Sequence, residues 1–212
     1  MTSFKNAGGG DIIIDVAKII VENKAYLSEI DGKIGDGDHG VNMAKGFGRA
    51  ADRLADSDGS LDEAMSVLSD ILMSEIGGSM GPLYGMMFAD MAECIEGQDD
   101  IDAALFLKML TAGVDGVQEI GGAKLGDKTL LDCLIPAKEA FKASVENGDV
   151  FDVSLKILKK SAVIGRDGTI DMIAKIGRAA RLGERSRGAV DAGATSCCLI
   201  LNTLSDGVLK RL

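Results

Sequence analysis

Aromatic residues make up only 4% of this 212-residue sequence, and it has two prolines. With few β-branched runs as well, the chain has little from which to build strands and little to break long helices. Positive charge is also short, the formal net charge being −10. That argues against a nucleic-acid or anionic-membrane partner, since both need a basic face to displace counterions or meet headgroups. Any phosphate ligand must then be held locally. The cysteines, Cys94, Cys133, Cys197 and Cys198, show no C-x-x-C spacing and lie in apolar helical patterns. A disulfide framework or structural zinc site is therefore not expected, and the redox reading is a reducing cytosol. The N-terminal run NAGGGD and the short stretch after it lack the form of a signal peptide, and nothing approaches a membrane span, so a cytoplasmic location is expected. What the sequence does have is apolar content, 46% of it, enough for one large domain over residues 1–212.

The apolar residues recur at helical spacing. Ile12, Ile13, Val16, Ile19, Ile20 and Leu27 predict a first helix running from Asp11 up to the loop at Asp31. A second begins near Gly40 to Asn42, with Met43, Phe47, Ala50 and Leu54 on its buried face. Ser60 and Glu63 form a capping box that starts a third, to about Ile76. Pro82 suits the first turn of a fourth, carrying Leu83, Met86, Met87, Met91 and Ile95 inward. Asp99 and Asp100 start a fifth, to about Ile120. Asp127 caps a sixth, bent at Pro136. A seventh runs from near Asp149 to about Ile176, with GRDG at Gly165 to Gly168 as a point of interruption. The last spans about Ala192 to Leu212. Eight helices and no strand make the expected fold class all-α.

Glycines and polar residues gather at every second junction: after helix one, between three and four, between five and six, and between seven and eight. In an up-and-down arrangement alternate junctions share one end of the bundle, so these four segments would meet at a single mouth. Glycine also ends helices for purely local reasons, but four such segments on one end point to a ligand.

The segment Asp31 to Met43, DGKIGDGDHGVNM, holds three aspartates and the chain's only histidine. Gly35, Gly37 and Gly40 spell G-x-G-x-x-G, but a helix rather than a strand precedes them, so a dinucleotide fold is not indicated. No glutamate stands twelfth from Asp31 or from Asp36, which excludes an EF-hand register. A solvated acidic turn accounts for the loop taken alone. With the other three segments beside it, Asp31, Asp36 and Asp38 read as hard oxygen ligands for magnesium, and magnesium in turn bridges nucleotide phosphates. His39 is assigned to nucleotide contact or loop positioning rather than acid–base work. Gly77, Gly78 and Ser79 precede a helix N-terminus, which favours an anion. GGAKLGDKT is not a Walker A loop, because Asp127 intervenes between Gly126 and Lys128 and no strand precedes. Gly121 would let a flat base or ribose approach the backbone, with Leu130 as an apolar cover. Among Arg178, Arg181, Arg185 and Arg187 one is expected to clamp phosphate, the others forming a solvated charge run.

In this order IGDGDHGVNM, GG followed by GPLYG, GDKTLLD, and GRAARLGERS followed by DAGATS resemble the nucleotide-binding L subunit of dihydroxyacetone kinase over nearly the whole chain. The resemblance implies an eight-helix antiparallel up-and-down barrel with ADP or ATP at one end. Its phosphates would be held through two Mg2+ ions on Asp31, Asp36 and Asp38. By position, the nucleotide would be lined by His39, Gly40, Val41, Asn42, Ser79, Met80, Gly121, Leu130, Arg178, Asp191, Ala192 and Gly193.

The activity so implied is a phosphotransferase with an alcohol acceptor, dihydroxyacetone or a related ketose such as erythrulose. The ketose would be held on a histidine of a separate K subunit. The phosphoryl donor would be either exchanged ATP or a bound ADP recharged by a phosphotransferase-system phosphocarrier. A nucleotide-binding regulatory module without turnover is the alternative, and the oligomeric state, homodimer included, is left open. The chain departs from the family's common pattern at Met80, where GGASGP reads GGSMGP, and at Ala189 and Ala192, where GH.DPG reads GAVDAG.

Overall fold

The computed structural model describes residues 2–212. Among them are nine α-helices: α1 (Gly10–Glu22), α2 (Lys24–Ile34), α3 (His39–Leu54), α4 (Leu61–Glu75), α5 (Met80–Ile95), α6 (Ala103–Gly121), α7 (Leu131–Glu146), α8 (Phe151–Gly168) and α9 (Ala192–Leu209). From α3 to α9 each helix packs on the next, and α1 packs on both α3 and α9, so the ring closes into a barrel. The expected first helix is present as two, because it breaks at Asn23. There the side-chain amide donates to the Ile19 carbonyl at 2.8 Å, competing with the helical ladder. Counting α1 and α2 as one broken stave, the barrel has the eight staves expected.

Periodicity explains the staves. Ile12, Ile13, Val16 and Ile20 of α1 and Met43, Phe47, Ala50 and Leu54 of α3 all face one continuous core. Full burial stabilises a large apolar side chain by roughly 1.5–3 kcal/mol. The Ser60–Glu63 capping box is formed at the start of α4. Met86, expected inward, is only half-buried beside the buried Met87. Two other helix starts differ from expectation. The cap of α6 is Asp102, whose carboxylate accepts from Leu105 N at 2.8 Å, because Asp99 and Asp100 lead into a strand instead. The carboxylate of Asp127 accepts from Lys124 N upstream. It is Asp132, in the first turn of α7, that accepts from Gly126 N at 2.6 Å and Thr129 N at 2.8 Å.

Pro136 sits inside α7, leaving the Asp132 carbonyl without its helical donor. Helix α8 approaches there at Gly165, where a Cβ would collide with that carbonyl. The seventh expected helix stops at Gly168, and a short 3-10 turn (Thr169–Asp171) and a kinked 3-10 segment (Arg178–Ser186) follow.

The end of the barrel away from the four glycine-rich junctions is plugged. Strands β1 (Ser3–Lys5) and β2 (Asp100–Asp102) pair antiparallel with Phe4 opposite Ile101, a small exception to the all-α expectation. Phe4 joins Phe106, Phe141 and Phe151, whose ring centroids lie 5.3–6.4 Å apart. Aromatic pairs at these spacings add about 0.5–1.5 kcal/mol each beyond area burial. Helix α9 is long and apolar enough to cross a membrane by length and composition, contrary to the expectation of no such span. It is apolar because it packs against α1, α7 and α8 inside the barrel.

Candidate functional site

All four glycine-rich junctions line one cavity of about 490 Å3 at the open end, with walls from Asp31 to Asn42, Gly78 to Tyr84, Val117 to Leu131 and Ile176 to Gly193. Helices α3, α5, α7 and α9 all begin there, so four helix N-termini point their positive dipole ends at one space. Their local capping differs. Asp191 caps α9, accepting from Ala194 N at 2.7 Å. The cap positions of α3 and α5, Asp38 and Ser79, make no side-chain capping bond; the His39 amide of α3 donates to the Asp31 carboxylate instead, while the start of α5 keeps its first-turn amide at Met80 for a ligand.

Asp31, Asp36 and Asp38 each place a carboxylate oxygen within 4.8 Å of the other two. Glycine makes this approach possible: a Cβ at Gly35 would collide with the Asp31 carboxylate, and Gly37 turns the chain at φ +77°. Burial, then a hydrogen bond and repulsion from Asp36, raise the Asp38 carboxyl above its ordinary value. The guanidinium of Arg178 pairs with Asp36. Three crowded hard oxygen donors that need a counter-charge fit a divalent cation such as Mg2+.

His39 is buried, with Nε2 2.9 Å from Ser196 Oγ. Tyr84 OH lies 2.7 Å from the same Ser196 Oγ and donates to the Gly193 carbonyl at 3.0 Å. This chain of hydroxyls ties the starts of α3 and α9 to α5 beneath the triad. Burial holds His39 at about 4, against the opposing pull of Asp31, so the ring is neutral at pH 7. Burial likewise pushes the Asp191 carboxyl up to about 7.

The cavity brings together Asp31, Asp36, Asp38, His39, Asn42, Ser79, Met80, Gly121, Leu130, Arg178, Asp191, Ala192 and Gly193. Gly40 and Val41 do not line it. Gly40 is a packing glycine, where a Cβ would collide with the Lys24 carbonyl and with Ser28 on α2, and Val41 is exposed on the outer side of α3. The smallness of Gly121 serves packing as well, since a Cβ there would lie 2.9 Å from Leu83 Cδ2. Arg178 alone of the four arginines reaches the cavity. Arg187 instead donates to the Asp171 carbonyl and pairs with Glu184.

A model of the DAK2 domain family matches residues 33–206. The chain belongs to that family. It is 32% identical to the ADP-binding subunit DhaL of PEP-dependent dihydroxyacetone kinase 2 from Listeria innocua, over 96% of this chain and 95% of that protein. It is 38% identical to the ADP-binding subunit DhaL of the PTS-dependent dihydroxyacetone kinase from Lactococcus lactis, over 89% and 91%. Its fold matches the crystal structure of the dihydroxyacetone kinase from C. freundii in complex with AMP-PNP and Mg2+, with a TM-score of 0.72 at 23% identity. The match covers 97% of this chain and 35% of that one.

Two features of this DAK2 domain have no local signature in the sequence. Neither Ser196, which meets His39, nor Tyr84, which meets Ser196, carries a local signal for that contact. Lys128 belongs to the GDKTLLD motif but has no role that its spacing alone reveals. Its side chain is buried, and its Nζ donates to the carbonyls of Met172, Ser186 and Ala189 at 3.2, 2.5 and 2.7 Å. Ala189, one of the three departures from the family's common pattern, thus contributes backbone. Met80 and Ala192, the other two, are the first residues of α5 and α9 on the cavity wall.

Proposed function

We propose that this chain is the nucleotide-binding subunit of a dihydroxyacetone kinase, holding ADP or ATP at the barrel mouth through Mg2+. The observation that carries the reading is the convergence of three carboxylates on the rim of a cavity whose inner wall is apolar. Asp31, Asp36 and Asp38 would hold two Mg2+ ions. Bound there, the cations would neutralise charge on the phosphates, which an acidic protein could not otherwise attract.

The rest falls to the chain's own groups. Ile34, Leu83, Val117, Ile120 and Leu130 give the adenine an apolar slot. The uncapped amide at the start of α5 donates to a phosphate oxygen. Arg178, already at the rim, exchanges Asp36 for a phosphate oxygen as a charge-assisted partner. The buried His39, neutral and held by Ser196, keeps the start of α3 in place and takes no proton.

The chain contains one histidine, and that ring lies inside the nucleotide site. The ketose is therefore held by a separate K subunit docked over the mouth, where Ile120, Leu125 and Ile176 are exposed. The DhaL relatives belong to PEP- and PTS-dependent kinases, which favours a bound ADP recharged by a phosphocarrier over free exchange of ATP. Titration of ADP with and without Mg2+ tests the binding half, and absence of magnesium-dependent binding would sink it. Reconstitution with a K subunit, a phosphocarrier system and either dihydroxyacetone or erythrulose tests the transfer half. Binding without any sugar phosphate would leave a regulatory module.

A further inference from the structure

We infer that Lys128 is a positioning residue for the nucleotide: its three carbonyl bonds hold the segment 169–190 across the mouth and thereby fix where Arg178 stands. The inference rests on the nucleotide reading of the site. Segment 169–190 joins α8 to α9 without an α-helix of its own, and its 3-10 stretch is kinked at Gly183. Only Thr169, Ala174 and Ser186 of it are buried, so hydrophobic packing does little to place it.

Polar ties take that role. Within the segment, Ala174 N donates to Ser186 Oγ at 2.9 Å, and Gly188 N donates to the Ile170 carbonyl at 2.8 Å. Its ties to the α6–α7 loop come from two adjacent residues. Lys175 N donates to the Asp127 carbonyl at 3.1 Å, and the Lys128 ammonium meets Met172, Ser186 and Ala189. These acceptors lie on both sides of Arg178 in the chain, so one cation gathers both limbs of the strap.

An ammonium has three donors and no acceptor, matching three carbonyls. Lys128 also adopts φ +62°, the only positive φ of a non-glycine among the described residues. That conformation is unfavourable for a lysine and is retained where surrounding structure imposes it.

The test compares wild type with Lys128→Met, which keeps the reach and removes the donors, and with Lys128→Arg, which keeps the charge on a planar fork. Three quantities are read: ADP affinity with Mg2+ by calorimetry, tryptic cleavage after Arg178, Arg181, Arg185 and Arg187, and helical circular dichroism. Lys128→Met should bind ADP about tenfold more weakly or worse, the scale of one charge-assisted hydrogen bond. Its strap should be cleaved faster, with helix content retained, and Lys128→Arg should fall between it and wild type.

Wild-type ADP affinity in Lys128→Met would overturn the inference, as would weakened binding without faster strap cleavage. Loss of the helical signal in both variants would also overturn it, since the lysine would then hold up the barrel rather than the strap. If only Lys128→Met fails to fold, Lys128→Arg decides: looser strap and weaker ADP support the inference, and wild-type behaviour overturns it. Failure of the wild-type chain itself to bind ADP would instead sink the nucleotide reading, while strap cleavage would still report on the clamp.

Discussion

At the closed end of the barrel Phe4, Phe106, Phe141 and Phe151 pack ring against ring. At the mouth the barrel gathers Asp31, Asp36, Asp38, His39, Lys128 and Asp191 around a cavity. Four of the six phenylalanines are thus placed away from the cavity, and the crowded charges where burial costs stability. The difference teaches that one end supplies folding free energy and the other draws on it. Raised carboxyls at Asp38 and Asp191 and a histidine held at about 4 are the marks of that cost. Sites this far apart should respond to substitution independently.

The sharpest way to break the comparison is Phe151→Ala. Losing a fully buried ring from the plug should destabilise the chain by about 3–5 kcal/mol, read as a drop in Tm, while ADP affinity of the folded fraction stays as in wild type. A matching fall in ADP affinity would show that the two ends are coupled. The converse substitution is Asp36→Asn. It should weaken magnesium-dependent ADP binding by roughly 10- to 100-fold. With magnesium chelated, Tm should hold or rise slightly, because one of three repelling carboxylates is gone.

The smallest expected effect sharpens the contrast through pH. The Asp191 carboxyl titrates at about 7 in the folded chain and near 4 when unfolded. The folded form therefore keeps a proton that the unfolded chain releases, and stability falls as pH rises from about 4 to about 7. Asp191→Asn retains an N-cap side chain for α9 and should remove that slope, making the variant more stable than wild type by roughly 1–2 kcal/mol at pH 8. A denaturation series from pH 4 to pH 8 checks this, and parallel curves for the two proteins would refute it.

Much of the barrel was legible because its signals are local. The stripes of α3 and α4, the Ser60–Glu63 box and the glycine-rich junctions depend on residues a few positions apart, and alternate junctions of an up-and-down bundle must share an end. The acidic cluster was legible for the same reason, since Asp31, near the end of α2, and Asp36 and Asp38, in the loop after it, lie within eight residues of chain. Less visible were the break at Asn23, where a side-chain amide competes with its own helix, and the β1–β2 pair, formed from segments nearly a hundred residues apart.

By itself, then, the sequence determined a set of apolar helical staves and a carboxylate cluster at one end, because periodic burial and short connections leave a helical chain few other arrangements. Only the tertiary structure decided that His39 faces Ser196, 157 positions away, and that Lys128 reaches carbonyls 44 to 61 positions downstream. A hydrogen bond between distant segments depends on how the staves bring them together, and no spacing within either segment encodes its partner.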